Sequence, residues 1–482
     1  MKKLTYCILL LLAFLPVSAQ ITVNDFKNSL KTTQRDVLGI VPFENPINGL
    51  YNVVILDTKR AYAYLFDENH NLVDSLATED RERKYKKILG YSIANGRDFR
   101  AYLTNDKTNS FAIADFNFTT RTVGYRPVKF KLPKGKIIQT FTYENVFYIM
   151  TLAKNSSVVE FHKFNGSDYS VVKMDMSGEL FMDENSKSTS LYRAFGSALT
   201  NPIATKIEPS TPNSIEQSSN DNKFYIFNNK LYLTLDMNRA ACQLIEIDLD
   251  SFSYNLKQYY HPNLITTGFK NTSNSFLTTE YLYLLNANSQ QMIFQVIERE
   301  SGNLLKELKA NRDEEITFMN TPIIQEGGTY DKYRELDKTK QYLRKLSGSK
   351  LGISPYFLNG LHLITFGGVK ETAQAPMMMP FGGIPLGSFA VGGLTFNAFF
   401  NPAFMAYNSY ANTKSTYFTT VLDMDFEHIE GKVPVNMYDK IDTYLDDNAV
   451  EIQTVFKYRG GIYVIHKQGN SPNYKMLLFK DY

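Results

Sequence analysis

The chain has 482 residues and sets 52 Lys and Arg against 49 Asp and Glu, a formal charge of +3. That near-neutral balance excludes a general attraction to nucleic acid or anionic lipid. With 34 Phe, 32 Tyr and no Trp, the composition suits pleated, half-buried surfaces, whereas a helical protein of this size would carry more Ala, Leu and Glu.

The first residues read as an export signal. Lys2 and Lys3 precede an apolar run from Ile8 to Leu15, and Val17-Ser18-Ala19 ends it with small residues. This is the order of a secretory signal peptide, so residues 1–19 are expected to be cleaved, with the mature chain beginning near Gln20 in the periplasm or at the cell surface. The run is too short to span a bilayer, which takes about 20 residues. No transmembrane span is expected in the mature chain. Cys7 lies inside the apolar run rather than after a cleavage box, which argues against a lipoprotein. Cys242 is then the single mature cysteine, which excludes an intrachain disulfide, and stability must come from the core. A chain this long can bury a large one.

From residue 51 onward, short apolar runs alternate with Asn, Asp, Gly and Ser, the pattern of strands joined by tight turns. A partial unit has strands at 51–56, 61–66 and 72–76. A four-strand unit follows at 88–93, 99–104, 110–117 and 122–128, and another at 137–143, 147–152, 158–164 and 169–174. The clearest is 223–227, 231–235, 241–248 and 252–259, whose first turn, Asn228-Asn229, uses a residue that tolerates positive φ. A further unit lies at 275–277, 281–286, 291–298 and 304–308. An interrupted one spans 351–433, and a partial one closes the chain at 450–458, 461–466 and 474–479. Tyr102, Tyr148, Tyr232 and Tyr283 recur in the second strands. Seven recurring units of this size predict an all-β fold, a β-propeller of about seven four-stranded blades. Both end units lack a fourth strand, so closure is expected to pair strands from the two termini and remove the exposed sheet edges.

Tyr102-Leu103-Thr104-Asn105, then Asn109 to Asp115, then Thr120-Arg121-Thr122-Val123, resembles the YVTN-type, lactonase-like propeller repeat. Residues 231–235 with 244–248, and 283–286 with 294–298, are weaker copies. The resemblance covers two or three of the seven units. It implies architecture and not activity, since propellers host unrelated functions. Asp115, Asp248 and Glu298, at the ends of third strands, are read as turn residues whose carboxylates bond backbone N–H groups.

Three segments break the spacing. Residues 176–222 read as a long loop insertion. Residues 313–350 contain Tyr330, Tyr333, Leu336, Tyr342, Leu343 and Leu346 at helical intervals, so 329–346 is expected to be one short amphipathic helix. Residues 372–413 carry no charge and interleave Met377, Met378, Met379, Phe381, Phe389, Phe396, Phe399, Phe400, Phe404 and Met405 with Gly and Pro. Two readings stand for this segment: a loop folded over the rim with its aromatics buried, or a Met- and Phe-rich surface that grips a protein or envelope partner. In an up-and-down blade, the connections between blades and the loops between second and third strands share one face. All three segments are therefore expected on that face, where a rigid scaffold presents binding loops.

No catalytic residue is assigned. His70, His162, His261, His362, His428 and His466 form no metal-binding pair, and the Gly-Gly pairs lack a phosphate- or dinucleotide-binding context. No metal or cofactor is expected. Cys242, within a strand, reads as an inert buried thiol. Asp423 with Asp425, and Asp248 with Asp250, are spaced to share a strand face, as Ca²⁺ ligands or glycosidase acids are, and equally as solvated strand-end residues. The expectation is an exported, non-catalytic binding or scaffold module. The alternative is a secreted hydrolase, carbohydrate-active or lactonase-like, with its site at the channel mouth. Convergence of His362, His466 and two carboxylates on one cavity would favour the alternative.

Overall fold

The computed structural model describes residues 20–481, except 28–36, 197–201, 265–267, 327–332, 371–402, 404–405, 408–414, 468–471 and the single positions 58, 81, 83, 86, 131, 167, 449 and 451. The expected signal peptide, residues 1–19, lies outside the described residues.

Among the described residues seven sheets of four or five strands, antiparallel except for one short parallel strand, succeed one another along the chain. Blade 1 is Val37–Glu44, Tyr51–Asp57, Ala61–Phe66 and Leu72–Ala77; blade 2 is Lys87–Ala94, Asp98–Thr104, Phe111–Asn117 and Thr122–Val128. Blade 3 is Gly135–Tyr143, Val146–Ala153, Val158–Asn165 and Asp168–Asp175. Blade 4 is Asn222–Phe227, Lys230–Leu235, Ala241–Asp248 and Tyr254–Tyr260; blade 5 is Thr272–Leu277, Tyr281–Ala287, Gln291–Glu298 and Leu304–Asn311. First strands, the inner strands of the ring, pack on one another between blades 7 and 1, 2 and 3, and 5 and 6.

Burial explains why these strands read as apolar runs rather than strict alternations. Each inner sheet face is covered by the next blade, so Lys87–Ala94 and Phe111–Asn117 are buried almost throughout. The fourth strand of the same blade, Thr122–Val128, is mostly exposed. The second-strand tyrosines Tyr102, Tyr148, Tyr232 and Tyr283 are all buried. Two-residue turns join first to second strands in blades 3, 4, 6 and 7: Glu144-Asn145, Asn228-Asn229, Asn359-Gly360 and Arg459-Gly460. All eight residues have positive φ, the backbone of the turn that matches strand twist in a hairpin.

The N-terminal strand completes the last blade. Blade 7 takes Ile452–Tyr458, Gly461–Lys467 and Asn473–Phe479 from the C-terminus, and its fourth strand is Gln20–Lys27, antiparallel to Asn473–Phe479. The strand Val37–Glu44, absent from the sequence reading, is the first strand of blade 1.

Blade 6 is rearranged. Its strands Lys350–Leu358, Leu361–Val369 and Thr416–Leu422 are followed in space by Ile323–Gln325 and Arg334–Leu336, which precede them in the chain. The expected helix over 329–346 is therefore shorter, Thr339–Leu346, because Arg334–Leu336 is drawn onto the sheet edge. Tyr342, Leu343 and Leu346 bury its apolar face.

Three further helices lie among the described residues: Leu191–Ala194, Ile215–Ser218 and Met437–Asn448. The last has a topological cause. With its outer strand already supplied, blade 6 leaves the chain on the face opposite to where blade 7 begins. A 12-residue helix rises about 18 Å at 1.5 Å per residue, the length of a five- or six-residue strand, and returns the chain. Asn436 Oδ1 caps it, accepting from the N–H groups of Tyr438 and Asp439.

Candidate functional site

The loop expected over 176–222 is in large part a plug. After a small hairpin, Phe181–Met182 with Ser188–Thr189, the chain turns into the channel. Ile203 and Ala204 N–H groups bond the carbonyls of Ile137 and Ile138 on the inner strand of blade 3. Thr205 and Lys206 then run parallel to Lys223 and Phe224 of blade 4. At the far end Lys457, on the inner strand of blade 7, meets Glu208 and Ser210. The chain returns along blade 6, where Ser354 Oγ donates to the Asn213 carbonyl and helix Ile215–Ser218 lies on Gly352 and Gly367. A Cβ at Gly352 would sit 2.8 Å from the Ile215 carbonyl oxygen, so glycine is what allows the approach. Residues 211–215 and 217–219 are buried although many are polar.

Beyond the plug's tip, a cavity of about 380 Å³ opens at one mouth of the channel. Glu44, Thr142, Phe456, Lys457 and Tyr458 line it from the C-terminal ends of inner strands, and Tyr51, Tyr91 and Arg459 from beside them. Lys206 and Glu208 of the plug, with Pro42 and Ala403, complete the wall. This mouth belongs to the face of the short two-residue turns. The three long segments leave from the opposite face.

The tyrosine hydroxyls of the cavity are committed elsewhere. Tyr91 donates to the Glu44 carbonyl, Tyr458 to the Gly49 carbonyl, and Tyr51 bonds His70 Nδ1. Arg459 pairs with Glu68 at 2.7 Å and Lys457 with Glu208 at 3.4 Å. Among the described residues, the Glu44 carboxylate and the Lys206 ammonium make no hydrogen bond or ion pair with one another or with other side chains. Burial pulls Lys206 down to about 8, opposed by the charge of Glu208. Burial raises Glu44, opposed by Lys457 and Arg459.

A second polar cluster is fully buried between blades 4 and 5. Lys223 Nζ is held by Asp236 Oδ2 at 2.9 Å, Asn274 Oδ1 at 2.6 Å and the Asn220 carbonyl at 2.7 Å, which uses all three of its protons. Ser275 Oγ donates to Asp236 at 2.8 Å, and Cys242 Sγ to Ser275 at 3.2 Å. Burial disfavours the ionised Asp236, but Lys223, His261 and these bonds outweigh it and hold its carboxyl below the usual range. The same burial, with the charge of Asp236, pushes the Cys242 thiol well up, so it is a weak nucleophile despite sharing the cluster with a lysine the sequence reading did not connect to it.

The convergence of His362 and His466 that would favour the hydrolase alternative does not occur. His362 stacks on Phe426 at 4.5 Å, while His466 bonds the Tyr444 hydroxyl. His70 sits between Tyr51 and Tyr463, His162 between Thr151 and Tyr169, and His428 on Asn320. Asp423 Oδ1 caps its own turn through the N–H groups of Asp425 and Glu427, and Asp248 does so through Asp250 and Ser251. Neither pair shares a strand face, because the strands end at Leu422 and Asp248. Glu298 accepts from the Ser301 hydroxyl. Asp115 departs from the turn reading: it lies inside a strand and pairs with Arg100 at 2.5 Å, while Asn117 Oδ1 serves the turn.

Met377, Met378, Met379, Phe381, Phe389, Phe396, Phe399, Phe400, Phe404 and Met405 lie outside the described residues. Of their segment, Ala403, Ala406 and Tyr407 are buried. Tyr438 donates to the Ala403 carbonyl and Tyr407 to Asp442.

No family model matches the sequence, and no curated protein matches it. Several solved structures resemble the chain at low identity. A prolyl endopeptidase is 8% identical at a TM-score of 0.35, with 90% of this chain and 47% of that one aligned. The WD40 domain of SCAP from fission yeast is 8% identical at 0.27, with 95% and 98% aligned. AztD from Citrobacter koseri is 9% identical at 0.26, with 56% and 71% aligned. The chain thus spans about half the length of the endopeptidase. The propeller assignment rests on this chain's own strand pairing.

Proposed function

We propose that the chain is an exported, non-catalytic β-propeller that acts as a binding or scaffold module, with YVTN-type repeats as its structural unit. The observation that carries the reading is the placement of the long segments. Residues 176–202, 312–349 and 370–415 all leave from one face of a ring whose opposite rim carries two-residue turns in four of its blades. A rigid ring with long loops on one side is the arrangement in which loops bind. The contact surface is the uncharged segment, with Met377 to Met379 and Phe381 to Phe400 on the partner. Export rests on the order of residues 1–19.

The experiment is capture from the native cell envelope with the full mature chain and with a variant in which residues 372–402 are replaced by a short Gly-Ser turn. Ending the deletion at 402 retains the buried Ala403 and Tyr407. An unchanged melting temperature with partner recovery abolished is the expected result. Recovery of the same partners by both proteins would place the surface elsewhere. Intact-mass measurement of the exported protein tests cleavage next to Gln20.

The hydrolase reading is favoured by one observation, the pairing of a raised Glu44 with a lowered Lys206 on one cavity, since shifted groups cluster where chemistry occurs. Turnover of a sugar lactone or an aryl glycoside that disappears in Glu44→Gln would establish it.

A further inference from the structure

The cavity at the short-turn mouth meets the uncharged segment only at Ala403 among the described residues. We propose that it is a separate binding site for a small zwitterion, a free peptide of two or three residues with both termini uncapped. The inference rests on which charges of the cavity are already matched. Arg459 is paired with Glu68, and Lys457 with Glu208 and Ser210. That leaves one ammonium, Lys206, and one carboxylate, Glu44, each without a bonded partner among the described residues. They stand on different walls, Glu44 on the inner strand of blade 1 and Lys206 on the plug beside blade 4, and form no ion pair with each other.

Both side chains are half-buried and open to the cavity, and a ligand that carries one charge of each sign can meet both at once. Its carboxylate meets Lys206 and its ammonium meets Glu44. The space between suits a short peptide rather than a chain. About 380 Å³ is at the small end of ligand pockets, which begin near ~300 Å³. Of the tyrosines in the wall, Tyr51 and Tyr458 are each 1% exposed and Tyr91 stacks on Phe43, with all three hydroxyls bonded elsewhere, so recognition falls to Lys206 and Glu44.

Titration calorimetry with trialanine, N-acetyl-trialanine and trialanine amide tests the site on the intact mature protein. Trialanine should bind, and each cap should weaken binding by about tenfold or more, the usual effect of losing a charge-assisted hydrogen bond. Lys206→Met should weaken trialanine to the level of its amide and leave the amide unchanged. Glu44→Gln should do the same with respect to the N-acetyl form. Neither side chain makes a hydrogen bond or ion pair among the described residues, and the melting temperature of each variant is read alongside its binding. The wild-type comparison of capped and free peptide stands even if a variant fails to fold. Equal binding of all three peptides, or no binding of trialanine at millimolar concentration, overturns the proposal. Loss of envelope partners in the loop deletion, with trialanine binding retained, separates this site from the partner surface.

Discussion

At the scale of single residues, the most consequential group is His261. Its side chain is fully buried beside Asp236, and burial lowers its pKa to about 4, with Asp236 opposing and Arg239 and Lys223 assisting. In the unfolded chain a histidine titrates near ~6.5. Between those values the unfolded state binds the extra proton, so stability rises with pH across the window. The contribution of the neutral ring is complete above about 6.5 and is lost as pH falls towards 4, on the order of 3 kcal/mol in all. The urea midpoint of the wild type should fall from pH 7 to pH 4.5 more steeply than that of His261→Asn. Parallel curves for the two proteins would show that the ring titrates as if exposed. Asp236 acts in the same direction at lower pH: its depressed carboxyl stabilises the fold above its unfolded value and the benefit is lost as pH falls through the folded one. None of this was legible from sequence. Lys223, Asp236, Cys242, His261 and Ser275 come from different strands and connections, and only the packing of blade 4 on blade 5 assembles them.

At the scale of elements, local signals were read well where one residue dictates the backbone. Asn228-Asn229 was recognised as a turn and has φ of 52° and 58°. Asp248 was read correctly because its carboxylate serves the chain next to it. Asp115 was misread because the same residue type can reach across strands to Arg100, which periodicity does not reveal. Helix Met437–Asn448 had a legible signal in Met437, Tyr438, Ile441, Tyr444 and Leu445, spaced as one helical face, yet no element was assigned between the units ending at 433 and beginning at 450. The plug had none. Residues 203–219 are rich in Ser, Thr, Asn and Pro, like an exposed loop, and are buried only because the ring surrounds them. Gly352 gives the test of that packing. Gly352→Ala should cost about 1–3 kcal/mol by overpacking in denaturant unfolding and should speed proteolysis within 203–219. Gly178→Ala, where the new methyl meets nothing within 4 Å, should do neither. Equal behaviour of the two variants would mean that the plug does not bear on blade 6.

For the whole molecule, closure of the ring is the property most exposed to mutation. Phe26, on the N-terminal strand, is 3% exposed and packs on Phe66, Tyr64 and Tyr474 with ring centroids 5.2, 5.3 and 5.8 Å away. It therefore joins blade 1 to blade 7 as well as strand to strand. Phe26→Ala should lower stability by about 3–5 kcal/mol, the range for a buried ring, as read from the urea midpoint. A loss below 1 kcal/mol would show that the ring does not depend on this strand. The architecture was legible because it repeats: each blade offers the same pattern again. The candidate cavity was not, since Glu44, Lys206 and Arg459 lie on three elements that carry no shared motif.

The closing strand also fixes how the molecule responds to tension. Gln20 is paired with Phe479 at one end of the seam, and Lys27 with Asn473 at the other. Gln20 and Phe479 are therefore neighbours at one end of the seam, where the two ends of the proposed mature chain would lie. A pull between them does not shear the seam, which would load all its hydrogen bonds together. It peels the strand away from Gln20 towards Lys27, one bond after another. A propeller anchored through one end and gripped through the other is thus a weak link that opens like a zip, whereas force entering through the loops of one face crosses several blades in parallel and leaves the seam unloaded.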